Sequence, residues 1–280
     1  MPDIRLIALD LDGTLLNSDK ELTERNRAAL AAAAEAGVEI VPATGRFYRG
    51  MPAVIRELPF VRYAVTINGA QVLDVRTGET LYAAEIPTEE ALSFLSYLDT
   101  LPVIYDCYAG GWGYMTDAMQ RRAADYISNA RSLDMVLRLR SPVPELKAYL
   151  AENRLSPQKI QLFTRDIPLR DALVGELAER YPRLAVTTSL PNNIEINSMD
   201  ADKGKALLGL AERLGVDRAQ TAAFGDALND LTMLRAAGTG VAMGNAHPAL
   251  KEAADAVTAD CDHDGVAEYI EHAILKKGYR

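Results

Sequence analysis

The chain has few of the features that mark extracellular, membrane or nucleic-acid-binding proteins. Its 280 residues include only two cysteines, Cys107 and Cys261, which are far apart and match no metal-binding or redox spacing. So few thiols exclude a disulfide-rich scaffold and favour a reducing compartment. No segment approaches the roughly 18 uninterrupted apolar residues of a membrane span, and the first residues lack the basic and apolar regions of a signal peptide. We therefore expect a cytoplasmic protein with no membrane partner.

Positive charge is also scarce. The chain has 30 lysines and arginines against 39 aspartates and glutamates, for a formal net charge of −9. Because a nucleic-acid binder needs a surplus of basic side chains for its phosphate contacts, we expect no nucleic-acid partner, although a local basic pocket for a small phosphate is still allowed. Hydrophobic residues at 49% and charged residues at 25% exclude a disordered or collagen-like chain and are typical of a globular protein.

Short apolar runs alternate with amphipathic stretches at both ends of the chain. The predicted strands cover residues 4–9, 38–43, 63–67, 221–224 and 240–243, and the predicted helices cover 23–37, 202–214 and 229–237. Thr23 is a predicted N-cap, and Gly37 is suited to the position just after a helix. This alternation predicts an α/β fold with a Rossmann-like, doubly wound, mainly parallel sheet.

The middle of the chain has a different pattern. A predicted helix, strand, tight turn and strand occur in that order twice, over residues 88–115 and again over 169–196. We interpret the two copies as parts of one inserted α+β domain at residues 84–196. Residues 1–83 and 197–280 then form the core.

Two carboxylates follow the first predicted strand directly, in the sequence Asp10-Leu11-Asp12-Gly13-Thr14. Residues at this end of a strand project into the crevice where open α/β sheets bind ligands. Asp10 and Asp12 repel each other unless a cation lies nearby, and a hard, oxygen-liganded ion such as Mg²⁺ would resolve the conflict. A solvated acidic turn is the simpler alternative, but the full DxDGT pattern after a buried strand favours a functional site.

Two further groups suit a phosphate. Thr44, Gly45 and Arg46 follow the second predicted strand, where a hydroxyl and backbone N–H groups can bind phosphate oxygens, although a Thr-Gly turn is also ordinary loop chemistry. Lys203 begins a predicted helix, where the helix macrodipole disfavours a cation, so a phosphate or carboxylate partner would explain its position. Lys205 is the alternative, and the spacing does not decide between the two lysines.

Three polar residues open the segment after the strand that ends at Phe224. Asp226 falls at the strand edge, as Asp10 does, and can supply a further metal carboxylate. Asn229 and Asp230 begin the next predicted helix, where short polar side chains often cap backbone amides, so one of them can be structural.

Other polar and aromatic positions favour structural interpretations. Trp112 is more readily an apolar anchor than a platform for a sugar, and Asn192-Asn193 is typical of a turn. Asn68, at the end of a predicted strand, is an even choice between substrate contact and structure. The three histidines have no metal spacing, and residues 260–264 are interpreted as a solvated acidic loop.

These motifs resemble those of the haloacid dehalogenase (HAD) superfamily, specifically its Cof-type branch of cap-bearing sugar-phosphate phosphatases. The resemblance covers essentially the whole chain, in the segments DLDGTLLNSDKEL, ATGR, INGA, NNIEI, DKG, AFGDALNDLTML and VAMGNA. The helix–strand–turn–strand repeat is similar to that branch's α+β cap. The resemblance implies a HAD-like core, a cap that sets substrate specificity, and a Mg²⁺-dependent phosphatase of small phosphorylated metabolites, with sugar phosphates favoured.

The resemblance also implies a role for each site residue. Asp10 is the implied nucleophile that forms an aspartyl-phosphate, and Asp12 is the implied general acid and then base. Thr44 and Lys203 are implied to assist catalysis. The implied Mg²⁺ ligands are Asp10, Asp12 through its carbonyl, and Asp226, with Asp230 behind them. The implied phosphate or substrate contacts are Leu11, Thr44, Gly45, Arg46, Asn68, Lys203 and Asn229.

Two other functions stay open. A phosphomutase uses the same aspartyl-phosphate but returns the phosphate to its substrate, and would need a bisphosphate activator. A non-catalytic sugar-phosphate sensor has no need of a nucleophile beside an acid, so Asp10, Asp12 and Lys203 argue against it. We expect a monomer or a weak homo-oligomer.

Overall fold

The computed structural model describes residues 3–275 and divides into two compact units. The first unit contains the described residues up to Arg46, Met51–Tyr82, and the described residues from Asp202 onward. The second contains Phe47–Gly50 and Ala83–Ala201, so all of the predicted insertion lies in it. Within residues 3–275, no helix is long and apolar enough to cross a membrane.

Residues 3–83 form five strands and two helices. They are β1 (Leu6–Leu9), α1 (Glu24–Glu35), β2 (Glu39–Pro42), α2 (Ala53–Arg56), β3 (Tyr63–Thr66), β4 (Gln71–Asp74) and β5 (Glu79–Ala83). The Thr23 hydroxyl accepts a hydrogen bond from the Asn26 N–H and so caps α1, and Gly37 has a φ of +88° just past its end. Both predicted helix boundaries are therefore confirmed.

The second unit is a six-stranded sheet with helices. Its elements are α3 (Thr88–Leu98), β6 (Val103–Ala109), β7 (Trp112–Thr116), α4 (Asp117–Arg121), α5 (Ala123–Tyr126), α6 (Ala130–Leu139), β8 (Arg140–Val143), α7 (Leu146–Glu152), β9 (Lys159–Thr164), α8 (Ile167–Arg180), β10 (Leu184–Thr187) and β11 (Asn193–Ser198). The strand order is β10-β11-β9-β6-β7-β8. Both predicted hairpins, β6–β7 and β10–β11, are antiparallel pairs as expected.

The strand at the centre of this sheet, β9, was not predicted from the sequence. β9 pairs with β6 on one side and with β11 on the other. It carries Lys159 and Gln161 on one face, and both side chains are buried. Polar residues at buried positions do not produce the apolar signal by which strands are recognised in a sequence.

The chain from Lys203 returns to the first unit. It forms α9 (Lys203–Arg213), β12 (Thr221–Gly225), α10 (Leu231–Ala236), β13 (Thr239–Ala242), α11 (Pro248–Ala253), β14 (Ala256–Val257) and α12 (Gly265–Tyr269). Short 3₁₀ turns occur at Tyr48–Gly50, Ile67–Gly69, Arg218–Gln220, Leu228–Asp230 and Cys261–His263, and a wider π-helical turn follows α12 at Ile270–Ile274. The helix predicted over 229–237 is shorter, because the Leu228–Asp230 turn takes its first residues.

The first unit's main sheet has the order β14-β13-β12-β1-β2, and every pair in it is parallel. This is the predicted doubly wound α/β arrangement. The chain proceeds outward from β1 in one direction through β2 and later in the other direction through β12. The carboxyl ends of β1 and β12 therefore form a topological switch point, where open α/β sheets bind their ligands.

Candidate active site

Three carboxylates meet at the switch point. Asp10 directly follows β1, Asp226 directly follows β12, and Asp230 ends the next turn. The Asp10 N–H donates to the Phe224 carbonyl at 3.0 Å, which extends the pairing of the two strands to the site. One oxygen from each of the three carboxylates lies within 4.8 Å of the others. So many like charges in a small space require a compensating cation.

Lys203 provides one such cation. Its Nζ donates to Asp10 Oδ1 at 2.7 Å and to Asp230 Oδ1 at 2.6 Å, and the residue is only 1% exposed. Asp202 caps the same helix by accepting from the Lys205 N–H. Lys203 is thus the lysine at the site, whereas Lys205 is exposed. The two carboxylates offset the unfavourable position of a cation at a helix N-terminus.

The electrostatics of these groups follow from burial and from one another. Burial raises the pKa of Asp10 to about 7, although Lys203 acts in the opposite direction. Burial and the charge of Asp230 raise the pKa of Asp226 to about 6, against the lowering effect of its hydrogen bond from Thr14. Burial alone would lower the pKa of Lys203, but Asp10 and Asp230 outweigh it and raise that pKa. Lys203 is therefore charged, and Asp10 and Asp226 still lack a full complement of positive charge.

The donor set fits a hard divalent cation. Asp230 Oδ2 accepts from the N–H groups of Asp226 and Ala227 at 3.1 Å, and its Oδ1 is taken by Lys203, so Asp230 supports its neighbours. Asp10 and Asp226 offer the anionic oxygens that Mg²⁺ prefers. The Thr14 hydroxyl donates to Asp226 Oδ1 at 2.9 Å and fixes that carboxylate.

Gly13 is required by this packing. Its φ is +96°, and a Cβ at this position would lie 2.6 Å from Asp226 Oδ2. Any other residue would be strained and would also displace the carboxylate.

The Asp12 carboxylate does not join the three-carboxylate group. Arg46 binds it with two hydrogen bonds, from Nε to Oδ2 at 2.9 Å and from Nη2 to Oδ1 at 3.0 Å. Lys20 Nζ lies 3.2 Å from the same Oδ1. Burial would raise the pKa of Asp12, but the two cations outweigh it and lower that pKa. Arg46, which was predicted to contact phosphate, thus donates its hydrogen bonds to Asp12.

The remaining predicted phosphate contacts are adjacent to one another. Thr44 is 2% exposed, and its hydroxyl accepts from the Arg46 N–H at 3.2 Å. A Cβ at Gly45 would lie 2.8 Å from Asn68 Oδ1, which itself accepts from Asn229 Nδ2 at 3.1 Å. The side chains of Asn68 and Asn229 therefore meet beside Gly45.

The turn that carries Asn68 is strained. Ile67, Asn68 and Gly69 have φ values of +54°, +56° and +91°. A β-branched residue rarely adopts such a value, and strain of this kind persists where the surrounding structure enforces it. Gly69 packs so closely on Asp202 that a Cβ would lie 2.3 Å from its carbonyl carbon. The strained turn thus joins the Thr44 loop to the start of α9.

Several other expectations have clear outcomes. The predicted backbone contact Leu11 has a fully buried side chain. In the second unit, Trp112 packs on Phe47 and donates to Ser141, as an anchor would. Asn193 Oδ1 accepts from the N–H groups of its own turn at Ser189 and Leu190, which confirms the turn interpretation.

Residues 260–264, interpreted as a solvated acidic loop, leave Asp262 and His263 exposed as expected, but side-chain hydrogen bonds also hold this loop in place. Asp262 accepts from both the N–H and the hydroxyl of Ser18, and Asp264 accepts from the Thr23 hydroxyl. These short polar side chains tie the loop to the segment after β1. The sequence could not show this, because the partners are more than 240 residues apart.

Two residues at the site were missed. Thr14 belongs to the DxDGT pattern, so its hydroxyl could have been considered from the sequence. Lys20 belongs to the DLDGTLLNSDKEL segment but was not singled out, because a lysine in a polar loop is ordinarily solvated.

Replacing Asp226 by asparagine is expected to stabilise the metal-free protein at neutral pH. Because the folded-state pKa is about 6 against an ordinary 3.8, the folded state binds more protons in this window, and stability falls as pH rises through it. After allowance for solvent screening, the free energy of unfolding of the variant should exceed that of the wild type by about 1–2 kcal/mol above about pH 7. The two proteins should be equally stable below about pH 4. Thermal unfolding in chelator across this pH range measures the gain. Equal stability of the two proteins at about pH 8 would contradict the electrostatic assignment.

The chain is similar in sequence and in fold to known proteins. The profile of a family described as haloacid dehalogenase-like hydrolase matches residues 7–270. Phosphatase YwpJ of Bacillus subtilis (strain 168) is 34% identical, covering 97% of this chain and 100% of the relative. From the same organism, 5-amino-6-(5-phospho-D-ribitylamino)uracil phosphatase YcsE is 31% identical over 98% of this chain and 97% of the relative. A solved haloacid dehalogenase-like hydrolase from Bacteroides thetaiotaomicron has a TM-score of 0.83 at 31% identity, over 96% of this chain and 99% of that one.

Proposed function

Since the chain belongs to the haloacid dehalogenase-like hydrolases, in their Cof-type branch, we propose that it is a Mg²⁺-dependent phosphatase of small phosphorylated metabolites. Its family and its phosphatase relatives make it a phosphoric monoester hydrolase that acts on a phosphorylated small molecule. The observation that carries the proposal is the buried Lys203 ammonium between Asp10 and Asp230, beside Asp226. Phosphorylated sugars and sugar alcohols are the favoured class, because one relative is named for a ribityl phosphate.

In the proposed mechanism, Asp10 is the nucleophile. Lys203 binds Oδ1 of this carboxylate, so Oδ2 is the oxygen outside that ion pair and attacks phosphorus. As the new O–P bond forms, the bond from phosphorus to the leaving-group oxygen breaks, and its electron pair stays on that oxygen. Lys203 offsets the charge that Asp10 shares with the phosphate.

Asp12 moves the protons. In protonated form it donates to the leaving-group oxygen, and as a carboxylate it then takes a proton from the water that attacks the aspartyl-phosphate. That attack releases phosphate and restores Asp10. The negative charge of the bound phosphate favours protonation of Asp12 for the first step, against the effect of Arg46 and Lys20.

Asp10, Asp226 and the Asp12 carbonyl are the residues proposed to hold Mg²⁺. When bound, the ion would neutralise phosphate oxygen charge. Thr44, Gly45 and Asn229 are proposed to hold phosphate oxygens through a hydroxyl, backbone N–H groups and a side-chain amide. We further propose that the protein is cytoplasmic and is a monomer or a weak homo-oligomer.

Replacing Asp12 by alanine is expected to slow the hydrolysis of substrates with poor leaving groups most. An alkyl phosphate should lose about 10³-fold in kcat, and an aryl phosphate about tenfold, because its oxygen needs less protonation. Steady-state kinetics on a sugar phosphate and on a nitrophenyl phosphate measure the two losses. Equal losses would leave Asp12 with a metal-binding or structural role only.

One face of the second unit's sheet carries four buried charged side chains. Asp106 and Arg140 form one ion pair at 3.2 Å, and Lys159 and Glu195 form another. Among residues 3–275, neither carboxylate oxygen of Asp106 has a hydrogen-bond donor, and its pKa is raised by burial. A buried ion pair is weak evidence for stability, and groups with a shifted pKa are concentrated at functional sites. We propose that the inserted domain selects the leaving group through these side chains.

Replacing Asp106 by asparagine is expected to change the ranking of sugar phosphates. The relative kcat/KM of two such substrates should shift by about tenfold, while a nitrophenyl phosphate should change by less than about threefold. The matched control is Asp99→Asn, which alters the more exposed ion pair with Lys147. An unchanged ranking, both in this variant and after exchange of residues 84–196 with those of a relative of different preference, would exclude the inserted domain as selector.

A panel of phosphorylated metabolites tests the function itself. The wild-type protein should release inorganic phosphate from at least one sugar or sugar-alcohol phosphate with Mg²⁺ present and not after chelation. A phosphomutase would instead require a bisphosphate activator and release an isomer. A sensor would bind a phosphorylated sugar without turnover.

A further inference from the structure

We propose that Lys20 is a positioning residue for Asp12. Its ammonium group and the Arg46 guanidinium together hold the Asp12 carboxylate in the orientation from which it protonates the leaving group. This inference rests on the proposed phosphatase function. It goes beyond that function, because it assigns a role to a lysine that belongs neither to the proposed metal ligands nor to the proposed phosphate contacts.

The contacts on Asp12 come from two separate loops. Lys20, in the turn after the DxDGT segment, lies 3.2 Å from Oδ1. Arg46, after β2, donates to that same Oδ1 and to Oδ2. Because both oxygens are fixed, and Oδ1 is fixed from both loops, the carboxylate has little freedom to rotate. A proton donor that must meet a leaving-group oxygen within hydrogen-bond distance benefits from such restraint.

The backbone of Lys20 supports a functional reason for its position. Its φ is +66°, in the left-handed region that glycine tolerates and that lysine adopts only under strain. The turn is nevertheless well fixed, because the Lys20 N–H donates to the Asn17 carbonyl and the Glu21 N–H donates to Asn17 Oδ1. Ser18 also donates twice to Asp262. The fold therefore keeps a lysine where glycine would be more stable.

The first test separates strain from function. Lys20→Gly relieves the backbone strain, so its Tm should equal or exceed that of the wild type in Mg²⁺. Its kcat on an alkyl phosphate should nevertheless fall about 10- to 50-fold, with less than about threefold loss on a nitrophenyl phosphate and little change in KM. Lys20→Met should show the same pattern of losses, and Lys20→Arg should recover most of the activity.

The second test asks whether Lys20 acts through Asp12. In an Asp12→Asn background, Lys20→Met should change kcat by less than about twofold, whereas independent effects would multiply. The matched control is Lys205→Met, which changes an exposed lysine of the same unit. Its kcat on both substrates should equal that of the wild type.

The outcomes distinguish this inference from the function on which it rests. Wild-type turnover combined with unchanged kinetics in Lys20→Met overturns the inference alone. So do equal losses on both substrates, a gain in activity, or the same loss in the Asp12→Asn background. The proposed function is tested on the wild-type protein, and absence of phosphatase activity there overturns that function.

Discussion

Asp10→Asn is expected to lower kcat by at least about 10⁴-fold on every phosphomonoester, because the amide keeps the shape of the side chain but cannot attack phosphorus. The loss should not depend on the leaving group, unlike the loss from Asp12→Ala. It should also occur without unfolding, because burial raises the pKa of Asp10 to about 7 and makes a neutral side chain acceptable there.

Three measurements check this prediction. Steady-state release of phosphate gives kcat, thermal unfolding shows that the fold is retained, and acid quenching during turnover detects the aspartyl-phosphate in the wild type only. Asp125→Asn, at an exposed position in the second unit, is the matched control. Turnover by the asparagine variant within about tenfold of the wild type would exclude Asp10 as nucleophile.

Lys203→Met is expected to be the most damaging single change for function and stability together. The side chain is fully buried, and its removal leaves Asp10 and Asp230 without their shared cation. Breaking a buried ion pair in this way costs about 3–5 kcal/mol, and kcat should fall by about 10³-fold, since the charge on the phosphate is no longer offset.

The pH dependence of that instability has a definite sign. Without Lys203, the pKa of Asp10 rises further above its ordinary value of 3.8, so the folded state binds additional protons. The variant should therefore be least stable at high pH and should recover as pH falls toward about 5. Unfolding measured across this range checks the sign, with Lys205→Met as the control. Stability that is lowest at acidic pH would contradict the assignment of Lys203 as the partner of two ionised carboxylates.

Much of the first unit could be predicted from the sequence because its signals are local. The fully buried β1, the Thr23 cap and the Gly37 stop each depend on residues within a few positions of one another. The DxDGT pattern and Asp226 could be recognised for the same reason, since each follows its strand directly. The parallel sheet then brings these strand ends together, as the alternation of strands and helices implied.

The second unit was predicted less completely. Its two hairpins have clear turn and alternation signals, and both are present. β9 was missed because its buried face carries Lys159 and Gln161, whose burial is stabilised by partners on other strands. Polar burial is a property of the assembled sheet, and hydrophobic periodicity cannot report it.

The sequence by itself determined the α/β class, the strand ends that carry Asp10 and Asp226, and the chemistry that paired carboxylates with phosphate-binding loops allow. The spacing of the residues left Lys203 and Lys205 open, the family resemblance selected Lys203, and the tertiary structure shows that Lys203 binds Asp10. Only the tertiary structure placed Arg46 and Lys20 on Asp12. The physical reason is distance along the chain. Lys203 is 193 residues from Asp10, and an ion pair between such positions is set by how helices and loops pack on the sheet. Local sequence determines the strand end, loop or helix on which a charged residue lies, whereas tertiary packing determines which opposite charge it contacts.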